Sequence, residues 1–129
     1  MIIYSETRGE VTVLRIQGIV KFGESSVQFS TYLDKVLQET TGPVLLDFEK
    51  IDLLDSSGLG ELVGYVQRFQ LRHRKIAIVR PRERVETLLR LTRLDNVLPI
   101  FPDEATALAY ALAGPEPVPG SREPVAGGR

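Results

Sequence analysis

The sequence contains no cysteine and only one histidine. Without cysteine it has no disulfide framework, no thiolate nucleophile, no iron–sulfur cluster and no zinc site built on cysteine. A single histidine, His73, excludes a histidine-rich metal centre. It also weakens any proposal of a Ser-His-Asp triad, because His73 would have to be the catalytic base. The composition therefore predicts a protein without a metal or other cofactor.

The chain also lacks an excess of one charge and lacks long apolar runs. Its formal net charge is −1, so the whole molecule is not a binder of polyanions, and we expect no nucleic-acid partner. No apolar run approaches the roughly 18 residues that a membrane span needs. The first ten residues lack the basic and then apolar regions of a secretory signal. We therefore expect a cytoplasmic protein that does not bind a membrane.

What is present is the composition of one ordinary domain, since the 129 residues are 43% hydrophobic and 26% charged. The last sixteen residues differ, because GPEPVPGSREPVAGGR contains four prolines and four glycines. Such a segment has almost no apolar surface to bury, so it cannot offset the entropy lost on ordering. We predict one domain over residues 1–113 and a disordered tail over residues 114–129.

Two hydrophobic periods alternate along the folded part and predict the element order β-β-α-β-α-β-α-β-α. In chain order we expect a hairpin of residues 2–5 and 11–16, a helix 25–39, a strand 43–48, a loop 50–54, a helix from Leu59, a strand 75–79, a helix with Pro81 at its first position, an edge strand 97–101 and a helix capped by Asp103. Strands joined by helical crossovers run parallel, so the prediction is an α/β domain.

The most informative stretch is Asp55-Ser56-Ser57-Gly58-Leu59-Gly60, which follows an apolar strand and precedes a helix. Open α/β sheets place their functional groups at this end of a strand. Asp55 or a serine can cap the helix, and the positive end of the helix dipole favours a phosphate on either serine. A simple capped turn into a helix explains the same residues, so the stretch alone leaves both interpretations open.

Enzyme motifs fail on the same stretch. A nucleophile elbow needs glycine two residues before the serine, where Leu54 and Asp55 stand, and no P-loop pattern occurs. The dinucleotide fingerprint that begins at Gly58 has Val63 in place of its third glycine. His73 has no adjacent nucleophile or carboxylate, so we interpret it as part of a solvated connector. We expect no enzymatic activity.

Charge is unevenly distributed within the domain. Residues 68–93 carry nine Lys or Arg against two Glu, which gives a basic segment. Such a segment could contact an acidic protein surface or nucleic acid, but it lacks the interleaved aromatic residues of single-strand binders. Solvated helix faces explain most of it.

Three segments together resemble the STAS family, the domains of sulphate transporters and anti-sigma factor antagonists. They are the hairpin that ends in LRIQG (14–18), the strand and loop VLLDF…IDLLDSSGLGEL (44–62), and KIAIVRPRERVETLLRLTRLDNVLPIFPDEATAL (75–108). The resemblance covers roughly residues 2–113 in register. It implies a small mixed sheet with an N-terminal antiparallel hairpin and helices packed mainly on one face.

The antagonist branch of that family implies a phosphorylation switch. By position, Ser56 resembles the serine that an anti-sigma factor serine kinase phosphorylates. A phosphatase removes that phosphate and restores the binding-competent form. Asp55, Ser57, Gly58, Leu59 and Gly60 are then the phosphosite loop, and Asp47, taken as the end of the preceding strand, lies beside it. Asp52 is expected to share this surface with Asp47 and Asp55.

One segment departs from the family pattern. Family antagonists often read Gly-Glu-Leu-Asp after the second strand, in a loop that faces the kinase. This chain has Gly18-Ile19-Val20-Lys21, so Lys21 brings a basic charge to the expected partner-binding surface.

The resemblance leaves more than one function open. The first is a phospho-switchable antagonist, a monomer or weak dimer that binds the kinase. The others are a scaffold or sensor subunit of a larger signalling assembly, in which Ser56 is inert or modulatory, and an accessory STAS subunit of a membrane transport system.

Overall fold

The computed structural model describes residues 1–114, so the predicted tail lies outside the described residues except for Gly114. The predicted element order is confirmed. The elements are β1 Ile2–Arg8, β2 Val11–Val20, α1 Glu24–Glu39, β3 Val44–Leu54, α2 Ser56–Leu71, β4 Ile76–Val79, α3 Glu83–Leu91, a 3₁₀ turn Leu94–Asn96, β5 Ile100–Phe101 and α4 Glu104–Ala111.

The five strands form one mixed sheet in the order β1-β2-β3-β4-β5. β1 and β2 are an antiparallel hairpin, and the β2–β3, β3–β4 and β4–β5 pairs are parallel because helices or long connections join them. The hairpin turn contains Gly9 at φ 65°, a left-handed conformation that glycine adopts without strain. The sheet topology agrees with the predicted α/β fold class.

Two apolar clusters fill the two faces of the sheet. Alternate strand residues such as Leu14 and Leu46 pack on one face against side chains of α1, α2 and α3, among them Phe29 and Phe69. The other residues of the strands, such as Val13, pack on the opposite face against α4. Helices therefore cover mainly one face, as expected, and the first cluster is the larger.

Several predicted element bounds are wrong. The helix predicted from Leu59 begins at Ser56, and the edge strand predicted over residues 97–101 spans only Ile100–Phe101, because a 3₁₀ turn occupies the residues up to Val97. Residues 50–54 are not a loop, because β3 continues to Leu54 and pairs with β2 as far as Val20. Register shifts within this pairing break the alternation of buried and exposed residues, which conceals the strand in the sequence. Pro81 does not begin α3, since Arg82 is still extended and the helix starts at Glu83. The predicted cap of α4 is confirmed, as Asp103 accepts a hydrogen bond from the Thr106 N–H at 2.8 Å.

Part of the basic segment is used inside the fold. Arg74 is 7% exposed, and its guanidinium lies at the C-terminal end of α1. It donates to the Gly42 carbonyl at 2.9 Å, to the Leu37 carbonyl at 3.1 Å and to Thr40 Oγ1 at 2.6 Å. Burial lowers the pKa of Arg74 from its usual value. The positive charge here satisfies the carbonyls that a helix end leaves without partners.

Replacing Arg74 by alanine leaves the Gly42 carbonyl and Thr40 Oγ1, both partly buried, without this donor, while the Leu37 carbonyl keeps a hydrogen bond from Arg72 at 3.2 Å. We expect Arg74→Ala to lower the free energy of unfolding by about 2–4 kcal/mol, since each buried acceptor without a partner costs about 1–3 kcal/mol. Arg84→Ala, at an exposed arginine of α3, is the matched control and should change stability by less than about 0.5 kcal/mol. Urea denaturation measures both, and equal effects would contradict this role of Arg74.

Candidate functional site

The candidate site lies where β2 and β3 end and α1 and α2 begin. The carboxylate of Asp55 caps α2, since Oδ1 accepts a hydrogen bond from the Gly58 N–H at 3.0 Å. The Asp55 carbonyl accepts the first helical bond, from the Leu59 N–H at 2.8 Å. This arrangement fixes Ser56 as the first residue of the helix and Ser57 as the second.

The second carboxylate oxygen of Asp55 binds a different loop. Oδ2 accepts from the Phe22 N–H at 2.9 Å, and the Asp55 N–H donates to the Val20 carbonyl at 3.1 Å. The bonds from the Gly58 and Phe22 N–H groups lower the pKa of Asp55 below its usual value, with a smaller contribution from the charge of Lys21. Asp55 is therefore ionised at neutral pH and holds the β2–α1 loop against the start of α2.

Close packing beneath the helix start requires glycine at one position. A Cβ on Gly58 would lie 2.7 Å from Leu54 Cδ1 and 2.9 Å from the Val20 carbonyl oxygen, both closer than real contacts allow. A Cβ on Gly60 would meet nothing within 4 Å. Gly58 thus lets α2 begin directly on the ends of β2 and β3, whereas Gly60 has no such role.

The Ser56 side chain is exposed, and within residues 1–114 it makes no hydrogen bond. Ser57 is partly buried. A free hydroxyl at the first position of a helix is accessible to another molecule, and the helix N-terminus favours negative charge placed there. The geometry suits addition of a phosphate to Ser56 without rearrangement of the fold.

Asp47 does not lie where the sequence placed it. It is in the middle of β3, eight residues before Asp55, which along an extended strand is roughly 26 Å away. Its carboxylate is buried, and Oδ2 accepts from Arg15 at 2.9 Å and from Arg80 at 3.2 Å. Both arginines come from neighbouring strand segments, so Asp47 belongs to an ion-pair network rather than to the phosphosite loop.

The expectation that Asp47, Asp52 and Asp55 share one contact surface is also wrong for Asp47, which is buried in the middle of β3. Asp52 is exposed but forms an ion pair with Arg82, and Asp47 is paired as described. Asp55 alone remains near Ser56, and its oxygens accept backbone bonds. Lys21 is exposed in the β2–α1 loop. The charges described next to Ser56 are therefore the Asp55 carboxylate and the Lys21 ammonium.

Sequence reasoning missed Phe22. This residue lies between Lys21 and Gly23, and its side chain is 81% exposed. The signal was available as an aromatic residue directly before a glycine, immediately after the segment where the chain departs from the family pattern. Gly23 has a φ of 108°, in the turn between β2 and α1, so the inside–outside alternation of β2 does not predict the exposure of Phe22.

Neither a metal site nor a membrane span is found in the described part of the chain. Among residues 1–114, no three Asp, Glu or His side chains are grouped so that they could hold a metal ion. Over the same residues, every helix is too short or too polar to cross a bilayer.

Comparison with known proteins begins with the family model for the STAS domain, which matches residues 3–107. No curated protein sequence matches the chain. Among solved structures, an anti-sigma factor antagonist from Mycobacterium paratuberculosis has a TM-score of 0.78 at 18% identity, over 85% of this chain and 92% of that one.

Two further proteins have the same fold. The anti-sigma factor antagonist SpoIIAA, unphosphorylated, has a TM-score of 0.73 at 16% identity, over 88% of this chain and 98% of that one. Phosphorylated SpoIIAA, a Bacillus cell fate determinant, has a TM-score of 0.67 at 17% identity, over 84% and 98%. The murine anion transporter Slc26a9 has a TM-score of 0.72 at 16% identity, over 84% of this chain but 19% of the transporter.

The two glycines of the site give a paired test of its packing. Gly58→Ala should lower the free energy of unfolding by about 1–3 kcal/mol, because the new methyl group overpacks the contact with Val20 and Leu54. Gly60→Ala should raise it by up to about 1 kcal/mol, because alanine is the better helix former and nothing obstructs it. Thermal and urea denaturation measure both variants; a Gly58→Ala protein as stable as wild type would refute the close approach.

Proposed function

The chain belongs to the STAS domain family, and we propose that it is an anti-sigma factor antagonist, a cytoplasmic binding domain without enzymatic activity. In its unphosphorylated form it binds and sequesters an anti-sigma factor that is also a serine kinase. Phosphorylation of Ser56 by that kinase ends the binding, and a cognate phosphatase restores it.

The observation that carries this proposal is the free Ser56 hydroxyl at the start of α2. The adjacent Asp55 carboxylate is engaged by the Gly58 and Phe22 N–H groups, so it neither covers nor binds the serine. The likeness to SpoIIAA, whose structure exists in phosphorylated and unphosphorylated forms, supports the assignment of a phosphosite to this fold.

The mechanism we propose is local. A phosphoserine adds about −1.5 to −2 charge. At the N-terminus of α2 this charge is favourable for the helix, by less than ~1 kcal/mol at an exposed position, so the domain keeps its fold. On the unmodified surface the Asp55 carboxylate is engaged by backbone N–H groups, and Asp52 is paired with Arg82. The phosphate converts this surface into a more negative and bulkier one that the kinase no longer fits.

The likeness to Slc26a9 supports a second candidate, an accessory STAS subunit of a transport system. A STAS scaffold of a larger assembly is related to it, since neither requires Ser56 to be phosphorylated. Size-exclusion chromatography and co-purification separate these functions from the antagonist. Self-association into a large assembly favours the scaffold, and recovery with a membrane protein favours the transport subunit.

Phosphorylation of Ser56 is the first test. Purified anti-sigma factor serine kinases of the same organism, each incubated with this chain and Mg-ATP, should include one that transfers phosphate to Ser56 and not to Ser57. Phosphopeptide mapping locates the label. Ser57→Ala is the matched control and should be labelled, whereas Ser56→Ala should not. Normal labelling of Ser56→Ala would refute the assignment.

The effect of charge is tested with Ser56→Glu. A carboxylate has about half the charge of a phosphate, so we expect affinity for that kinase to fall about 5- to 150-fold, with the fold unchanged. Ser56→Gln, of similar size but neutral, is the matched control and should lose less. The difference between them should shrink at high salt, because screening weakens only the charge contribution. Calorimetry at two salt concentrations measures this; equal affinities of Glu and Gln variants at low salt would contradict an electrostatic switch.

A further inference from the structure

Phe22 is the most exposed large apolar side chain in the described part of the chain, at 81% exposure. Exposure alone does not distinguish it, because isolated apolar residues are common on protein surfaces. Leu91 and Leu71, both on helices, are 77% and 72% exposed. What sets Phe22 apart is its location and the way its backbone is held.

The backbone of the Phe22 loop is fixed on both sides. The Phe22 N–H donates to Asp55 Oδ2 at 2.9 Å, which ties the residue to the phosphosite. The preceding N–H, of Lys21, donates to Ser25 Oγ at 2.9 Å, and the Lys21 carbonyl accepts from Ser26 N–H at 3.0 Å. The aromatic ring therefore projects from a backbone with a defined position rather than from a loose loop.

An intramolecular role for the ring is a hydrophobic staple. Gly23 is the N-cap of α1, so Phe22 and Val27 occupy the two positions that pack together in this motif. Val27 is itself 62% exposed, and Phe22 retains four-fifths of its surface in water. A staple thus accounts for little of the ring, and the two side chains leave exposed apolar surface at the start of α1, in the loop that is bonded to Asp55.

We propose that Phe22 is the apolar anchor through which this chain binds the anti-sigma factor kinase, and that Asp55 is the residue that positions it. This inference rests on the proposed function and adds a specificity determinant to it. The surface that fits is an apolar pocket of the kinase, next to the groove that receives Ser56 and with an acidic rim opposite Lys21. Buried aromatic anchors of this kind dominate the affinity of protein interfaces.

The binding test compares two exposed apolar residues against the kinase that labels Ser56. Phe22→Ala should weaken binding about 10- to 100-fold, the amount expected when a phenylalanine buried in an interface is truncated. Leu71→Ala, at the far end of α2, is the matched control and should change affinity less than twofold. Both variants should unfold as wild type does. If Phe22→Ala binds with wild-type affinity, the role of Phe22 is overturned and the proposed function stands. If the wild-type chain does not bind the kinase, the proposed function is overturned as well.

The positioning role is tested with Asp55→Asn. An asparagine still caps α2, because its carbonyl oxygen accepts from the Gly58 N–H, but its amide group cannot accept from Phe22. Hydrogen exchange at the Phe22 amide should become at least tenfold faster, with Gly58 still protected. In calorimetry Asp55→Asn should weaken binding in the wild-type background and have little effect in the Phe22→Ala background. Unchanged exchange at Phe22, or equal losses in both backgrounds, would overturn the role of Asp55.

Discussion

The carboxylate of Asp55 accepts hydrogen bonds from two loops, and the geometry of the candidate site depends on this double acceptance. One oxygen caps α2 through the Gly58 N–H, and the other holds the Phe22 N–H of the β2–α1 loop. Gly58 makes the arrangement possible, because any side chain there would collide with Val20 and Leu54. Ser56 is consequently held in the first turn with its hydroxyl toward solvent.

Several arginines of the domain serve the fold. Arg74 satisfies carbonyls at the end of α1, Arg15 and Arg80 compensate the buried Asp47, and Arg82 pairs with Asp52. Part of the basic segment is therefore committed to contacts within the domain. Near Ser56 the features that we propose for partner binding are the exposed Phe22 ring and a phosphate that can be added to Ser56 or removed.

The sequence predicted those parts of the structure that depend on local signals. The element order follows from hydrophobic period, and the caps by Asp55 and Asp103 follow from residue type just before a helical stripe. It did not predict the full length of β3, because register shifts with β2 disturb the alternation. The sequence also did not predict the ion-pair partners of Asp47. Arg15 and Arg80 lie more than 30 residues away along the chain, and only the register of the strands brings them to Asp47.

The central claim is that one phosphate on Ser56 controls binding to the anti-sigma factor kinase. The most direct measurement is the affinity of that kinase for two preparations of this chain, one fully phosphorylated on Ser56 and one unmodified, by calorimetry at one salt concentration. The account predicts that the unmodified chain binds at least tenfold more tightly while both preparations melt at similar temperatures. Equal affinities would contradict it.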